Sequence, residues 1–106
     1  MTYQLLMNTC PDQKTAEAIA TILVEEKLAA CINILPGITS IYTWQDQVET
    51  AREHLLLIKT RTDRYREIAD CIRTNHPYEL PEIIAVPIDQ GLPEYLQWID
   101  SCLSEE

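Results

Sequence analysis

Residues 30–60 read ACINILPGITSIYTWQDQVETAREHLLLIKT, and the fold turns on how this run is folded. From Ala30 to Trp44 the chain is strand-like. Ile32 and Ile34 project one way, and Cys31, Asn33 and Leu35 the other. Pro36-Gly37 interrupts the pattern, and Ile38–Trp44 resumes it with β-branched and aromatic residues. Strand-like sequence flanks the break on both sides, so a bulge or bend fits better than a full turn. Gln45-Asp46-Gln47 forms a polar tip. Val48–Thr60 returns as a second strand, polar near the tip and apolar at its base (Leu55–Ile58). Strands of about 13–15 residues, where about 5–6 is usual, are longer than two helices can cover. The overhang carries Ile38, Ile41, Tyr42, Trp44 and Val48, which would stand exposed in a single copy. Neighbouring copies are expected to cover them; the alternative is a hairpin bent back onto its own sheet.

Outward from the hairpin, Tyr3–Thr9 reads as a central strand whose continuous Leu5-Leu6-Met7 suggests burial on both faces. Pro11 breaks it and Asp12 is placed to cap a helix. Ala16, Ile19, Ala20, Leu23, Val24 and Leu28 follow on one face of about four turns. Beyond the hairpin, Thr62-Asp63 opens a second helix with the inner stripe Tyr65, Ile68 and Ile72, ended by Pro77. Glu82–Ile88 reads as a short strand near a sheet edge because of its flanking and internal prolines. Gly91 marks a turn, and Pro93 starts a closing helix carrying Tyr95, Leu96, Ile99 and Leu103. The order predicts one α+β domain over residues 1–106, a ferredoxin-like βαββαβ sandwich with a long middle hairpin and a C-terminal helix.

Composition narrows the function. The 106 residues carry a formal net charge of −9, which disfavours nucleic acid and anionic membranes as partners. No run is long and apolar enough to span a bilayer, and no secretory signal opens the chain, so a cytoplasmic location is expected. Four cysteines stand at 10, 31, 71 and 102 without a CxxC, matching no zinc-finger spacing. With two glycines there is no phosphate-cradling loop. The loop Asn8–Gln13 lacks both the CxxC of a metallochaperone and the phosphate-clamping arginine of an acylphosphatase. The central strands lack the aromatics of an RNA-recognition module.

Several segments, taken together and in order, carry a resemblance. They are Leu28–Gly37 (LAACINILPG), Ser40–Trp44 (SIYTW), Leu57–Thr60 (LIKT), His76–Ile83 (HPYELPEI) and Tyr95–Ile99 (YLQWI). The chain resembles the CutA family of divalent-cation tolerance proteins over nearly its whole length. The resemblance implies a homotrimer whose long hairpins extend each other's sheets, and a kinship in shape with the PII signal-transduction proteins. It implies copper or another divalent metal as a ligand, requires no resident cofactor, and brings no established catalytic reaction.

Two candidate sites follow. Cys31, Cys71 and His76 fall on positions that the resemblance associates with copper, for which thiolate and imidazole are suitable ligands. Each has a plainer reading, as a core filler for the cysteines and a helix cap for His76. Asn8 stands where some members carry cysteine, Cys10 is displaced toward the loop, and Asn75 precedes His76 where a second histidine would be. Weak binding through an exposed Cys10 or His76 is the fallback. The second candidate is a cleft between subunits built from Tyr42, Trp44, Lys59, Tyr78, Glu79, Glu82 and Trp98. A lysine with aromatics and carboxylates would suit a small polar or anionic ligand. Alternatively Lys59 pairs with Glu79 or Glu82 to lock a structural or adaptor trimer, or these three do acid–base work in an enzyme. His54 is expected to face solvent without a role. Glu25-Glu26 and Glu105-Glu106 read as a solvated face and a frayed tail.

Overall fold

The computed structural model of the protein describes residues 2–103; Glu105 and Glu106 lie outside them. The elements run β1 (Tyr3–Cys10), α1 (Gln13–Glu25), β2 (Cys31–Trp44), β3 (Gln47–Arg61), a 3-10 turn at Thr62–Arg64, α2 (Tyr65–Asn75), β4 (Ile84–Ile88) and α3 (Pro93–Leu103). The strands form one antiparallel sheet in the order β2-β3-β1-β4. This is the expected split βαβ topology, with the proline-flanked β4 at an edge as the sequence suggests and β2 at the other.

The hairpin pairs from Cys31↔Lys59 out to Trp44↔Gln47, and the register shifts between Leu35 and Ile38. The shift falls on Pro36, which has no N–H to give the ladder, and on Gly37, whose φ of +73° suits glycine. The tip is tighter than the sequence suggests. Gln45 and Asp46 both have positive φ (51° and 65°), the signature of a two-residue type I′ turn, and Gln47 already belongs to β3. The hairpin stretches the molecule to 45 × 26 × 22 Å.

Asp12 caps α1 by accepting the Thr15 N–H at 2.8 Å. The helix ends in a Schellman motif: Leu28 N–H reaches Leu23 O at 2.9 Å and Lys27 N–H reaches Val24 O at 3.1 Å. Lys27 takes the left-handed position, φ 60°, that glycine usually fills. Arg64 is buried and ties this end to the C-terminus, donating to Lys27 O (3.3 Å) and Leu103 O (2.6 Å).

Alternation along the strands then divides the sheet. Leu6 and Cys10 of β1 with Leu56 and Ile58 of β3 face Ala16, Ile19 and Leu23 of α1 and Ile68 and Ile72 of α2, all essentially excluded from solvent. Burying each such Leu or Ile contributes roughly 1.5–3 kcal/mol. Two stripe residues fall outside this core. Val24 is 43% exposed and Tyr65 38%, because each lies at the border of its helix's apolar arc, where the sheet no longer reaches.

The opposite face corrects a larger expectation. β1 is not buried on both sides: Leu5 and Met7 are only half-buried. The third helix covers one end, where Ile99 and Leu103 pack with Ala30 and Tyr3. Asp100 there accepts Tyr3 Oη–H at 2.7 Å and Arg61 Nη1–H at 3.2 Å. The Tyr3 hydrogen bond, aided by Arg61, holds the Asp100 carboxyl below its usual range. Past α3 the face is bare and apolar. Leu55 and Leu57 are half-buried, while Leu35, Ile84 and Val86 are exposed.

Replacing Lys27 by glycine removes the left-handed penalty and keeps the backbone bond to Arg64. We expect Lys27→Gly to stabilise the fold by about 0.5–1 kcal/mol in denaturant unfolding. A loss of stability would mean that the lysine side chain contributes packing that outweighs its strained backbone.

Candidate functional site

Beyond the bulge the hairpin overhang rises from the sheet, and the loop after α2 runs beneath it. The pairs Ile38↔Glu53, Ser40↔Ala51 and Tyr42↔Glu49 put these side chains on the face opposite α1 and α2. Together they enclose a cavity of about 730 Å³ lined by Thr9, Ser40–Trp44, Glu53, Pro77–Leu80 and Glu82.

Two buried polar side chains hold the loop. His76 accepts Tyr78 N–H at Nδ1 (3.1 Å) and meets Thr9 O through Nε2 (2.8 Å); the tautomer that satisfies both carries its proton on Nε2. Its ring also lies 4.7 Å from that of Tyr78, centre to centre. Asn8, fully buried, donates to Glu82 O at 2.9 Å and accepts the Cys10 thiol at 3.4 Å. Thus β1 fixes both ends of the loop, and with them the Tyr78 and Glu82 side chains.

Glu53 is the chemically distinctive group. It is 5% exposed, and its Oε2 accepts the Tyr78 hydroxyl at 2.6 Å. No ion pair to it occurs among the described residues. Burial, then the bond to Glu53 and its negative charge, push the Tyr78 phenol well above its usual range. Burial followed by the charge of Glu53 raises the Glu82 carboxyl as well. The cavity thus combines a negative potential with aromatic walls.

Of the candidates for a cleft between subunits, Tyr42, Trp44, Tyr78, Glu79 and Glu82 meet here within one chain, whereas that chain's own Lys59 and Trp98 stand elsewhere. Lys59 lies six residues from Glu53 along β3, about 20 Å at the strand rise. Its Nζ stands 5.7 Å above the Tyr95 ring, and Tyr95 stacks on Trp98 at 5.4 Å. These three therefore belong to the α3 end of the sheet. Glu53, Thr9 and Asn8 are the site residues that sequence reasoning missed. Counting by twos back from Leu57 and Leu55 puts Glu53 on the face opposite the helices, which distinguishes it from the polar tip it was read with.

The metal candidates are separated. Cys31 pairs with Lys59 on the α3 face. Cys71 packs against the core on the other side of the sheet, its thiol raised by burial and by Glu26. His76 already uses both ring nitrogens. Cys10 is the last residue of β1 rather than an exposed loop thiol, and burial followed by the charges of Asp12 and Glu53 pushes it to about 11. Among the described residues no three His, Cys, Asp or Glu side chains gather as a metal-holding group. His54 corrects another expectation: it is half-buried, with Nδ1 enclosed and without a hydrogen bond.

A four-stranded antiparallel sheet with an overlong hairpin and an acidic, aromatic cleft beside it defines a ferredoxin-like α+β domain. The family model described as "CutA1 divalent ion tolerance protein" matches residues 4–102, and the chain belongs to that family. It is 47% identical over 96 residues to the divalent-cation tolerance protein CutA of Thermus thermophilus, covering 91% of this chain and 93% of that one. It is likewise 47% identical over 97 residues to a CutA homolog of Xenopus laevis, covering 92% of this chain but 64% of the longer relative. The solved structure of the periplasmic divalent cation tolerance protein CutA from Archaeoglobus fulgidus superposes with a TM-score of 0.94 at 40% identity, covering 96% and 99% of the two chains.

Tyr78→Phe removes the hydroxyl donor from a buried carboxylate and leaves the ring in place. We expect a loss of about 1–2 kcal/mol in denaturant unfolding, with Glu53→Gln costing less because it keeps an acceptor without the charge. Equal stability of Tyr78→Phe and the parent would mean that water replaces the phenol fully.

Proposed function

We propose that the chain acts as a homotrimer in divalent-cation tolerance, binding copper or another divalent metal ion and catalysing no reaction of its own. The observation that supports assembly most is the amount of apolar surface one copy leaves open. Leu35 on β2 and Ile84 and Val86 on β4 stand open on the face away from α1 and α2, and Ile41 (71% exposed) and Val48 (76%) stand open on the other face of the overhang. Apolar surface left open on both faces, with unpaired strand edges beside it, is what copies of one chain cover by packing and by strand pairing. Family membership supports the cation role. Because Cys31, Cys71 and His76 are apart in one chain, a site using Cys31 draws its remaining donors from a neighbouring copy. A reducing cytoplasm suits the four free thiols. The net charge of −9 disfavours nucleic acid and membranes as partners.

A second reading, a small-ligand sensor in the manner of the PII proteins, is favoured by the cleft. Neither a ligand-free adaptor nor a cleft enzyme gains an observation of its own. Within one chain Lys59, the only cation of the acid–base set read from sequence, stands at the α3 end, so that set would need the lysine of a neighbouring copy.

Sedimentation and calorimetry test the two halves. We expect the reduced protein to sediment as a trimer, and Trp44→Asp, which puts a charge on the overhang, to weaken assembly at least about ten-fold. Unchanged mass at low concentration would remove Trp44 from the contact. Calorimetry with copper and zinc should show stoichiometric binding that Cys31→Ser and Cys31→Ala variants lose. Weak binding that ignores those substitutions would leave metal as surface chemistry and favour the cleft.

A further inference from the structure

We infer that each copy completes its overhang cleft with the Lys59 of a neighbouring copy, whose ammonium pairs with the buried Glu53. The inference rests on the homotrimer proposed above and names the contact that joins one copy to the next. Glu53, Leu55, Leu57 and Lys59 follow one another by twos along β3, on the face away from α1 and α2. That face therefore runs from an acid through two half-buried leucines to a base. The two charges lie about 20 Å apart at the strand rise, too far to meet within one chain. Neither has an ion pair among the described residues. Glu53 is 5% exposed and receives the Tyr78 hydroxyl. Lys59 is half-buried, with Nζ over the Tyr95 ring. A carboxylate removed from water needs a charged partner or several donors.

A closed ring of three identical chains joins unlike patches, so one end of each copy meets the other end of the next. A strip with an acid at one end and a base at the other is matched to that arrangement and gives three identical pairs. Leu55 and Leu57 lie between the charges, with Leu35, Ile84 and Val86 open on the same face. The contact that brings the charges together thus also covers the bare apolar surface. The receiving side suits a lysine. Tyr42, Trp44 and Tyr78 line the cavity beside Glu53, where their rings attract an ammonium and their apolar surface holds its aliphatic stem. Glu53 is the acceptor, rather than the Glu79 or Glu82 that the sequence offered, because those two side chains are exposed and water satisfies them.

A double-substitution cycle on assembly tests the pair. Sedimentation over a dilution series gives the monomer–trimer equilibrium of the parent, Lys59→Met, Glu53→Gln and the double variant. Methionine keeps the apolar stem and glutamine keeps the acceptor for Tyr78, and circular dichroism checks that both variants fold. We expect each single substitution to weaken assembly at least about ten-fold, and the double variant to be no weaker than the weaker single. Glu82→Gln should show no such coupling to Lys59→Met. A carbodiimide, which joins an amine to a carboxylate in contact, gives a second readout on the unsubstituted protein. It should link Lys59 to Glu53, and at 20 Å within a chain that link has to join two copies. Additive effects and no such link in a trimeric parent would overturn the pair and leave the trimer standing. Coupling to Glu82 in place of Glu53 would overturn it as well. A coupled dimer would keep the pair and overturn the threefold ring. A parent that stays monomeric at every concentration would remove the homotrimer and the pair with it.

Discussion

Everything in this molecule depends on the two-residue period of its strands against an unequal supply of helices. The sheet offers two faces of similar apolar content, and α1 and α2 both pack on the same one. The pairing Leu6↔Ile58 puts the core beneath them, while the pairing Leu5↔Lys59 puts the alternate residues on the other side. There α3 reaches only one end. A register slip of one residue would exchange these sets and drive Lys59 and Arg61 into the core. The same strict alternation that secures the fold therefore leaves Leu35, Leu55, Leu57, Ile84 and Val86 without cover from their own chain.

The cleft grows from that arrangement. The hairpin continues past the last helix because Pro36-Gly37 bends the ladder without ending it. The overhang then needs a counterpart, which the loop after α2 provides. That loop would be free to move were it not held by two β1-based contacts, Thr9 O to His76 and Asn8 to Glu82 O. Both anchors are buried, so breaking either leaves polar groups unsatisfied. The loop's rigidity is thus inherited from the central strand.

The sequence announces whatever depends on local period or on special backbone angles. The bulge at Pro36-Gly37, the Asp12 cap, the edge placement of the proline-flanked β4 and the element order were all legible for that reason. What was not legible depends on direction in three dimensions. Lys59 and Glu82 both belong to motif segments, yet they face opposite ends of one sheet. Cys31 and Cys71 look equivalent as small buried thiols, yet the sheet lies between them. Lys27 in a left-handed Schellman position and Arg64 between two helix ends gave no signal, since neither residue type suggests its role. Glu53 was hidden inside a polar run near the hairpin tip.

The contrast between Asn8 and Glu53 bears on what the site is for. Asn8 is buried and uses both ends of its amide, one on Glu82 O and one on the Cys10 thiol, so its polarity serves the fold. Glu53 is almost as buried and receives one neutral hydroxyl, with no ion pair to it among the described residues. A glutamine would accept the same hydrogen bond without the desolvation cost of a charge, so stability alone does not explain the carboxylate. Burial, with the charge of Glu53 beside them, raises both Tyr78 and Glu82. A buried carboxylate that its own chain leaves without an ion pair among the described residues, beside apolar surface that is also left open, marks a site that one copy does not complete.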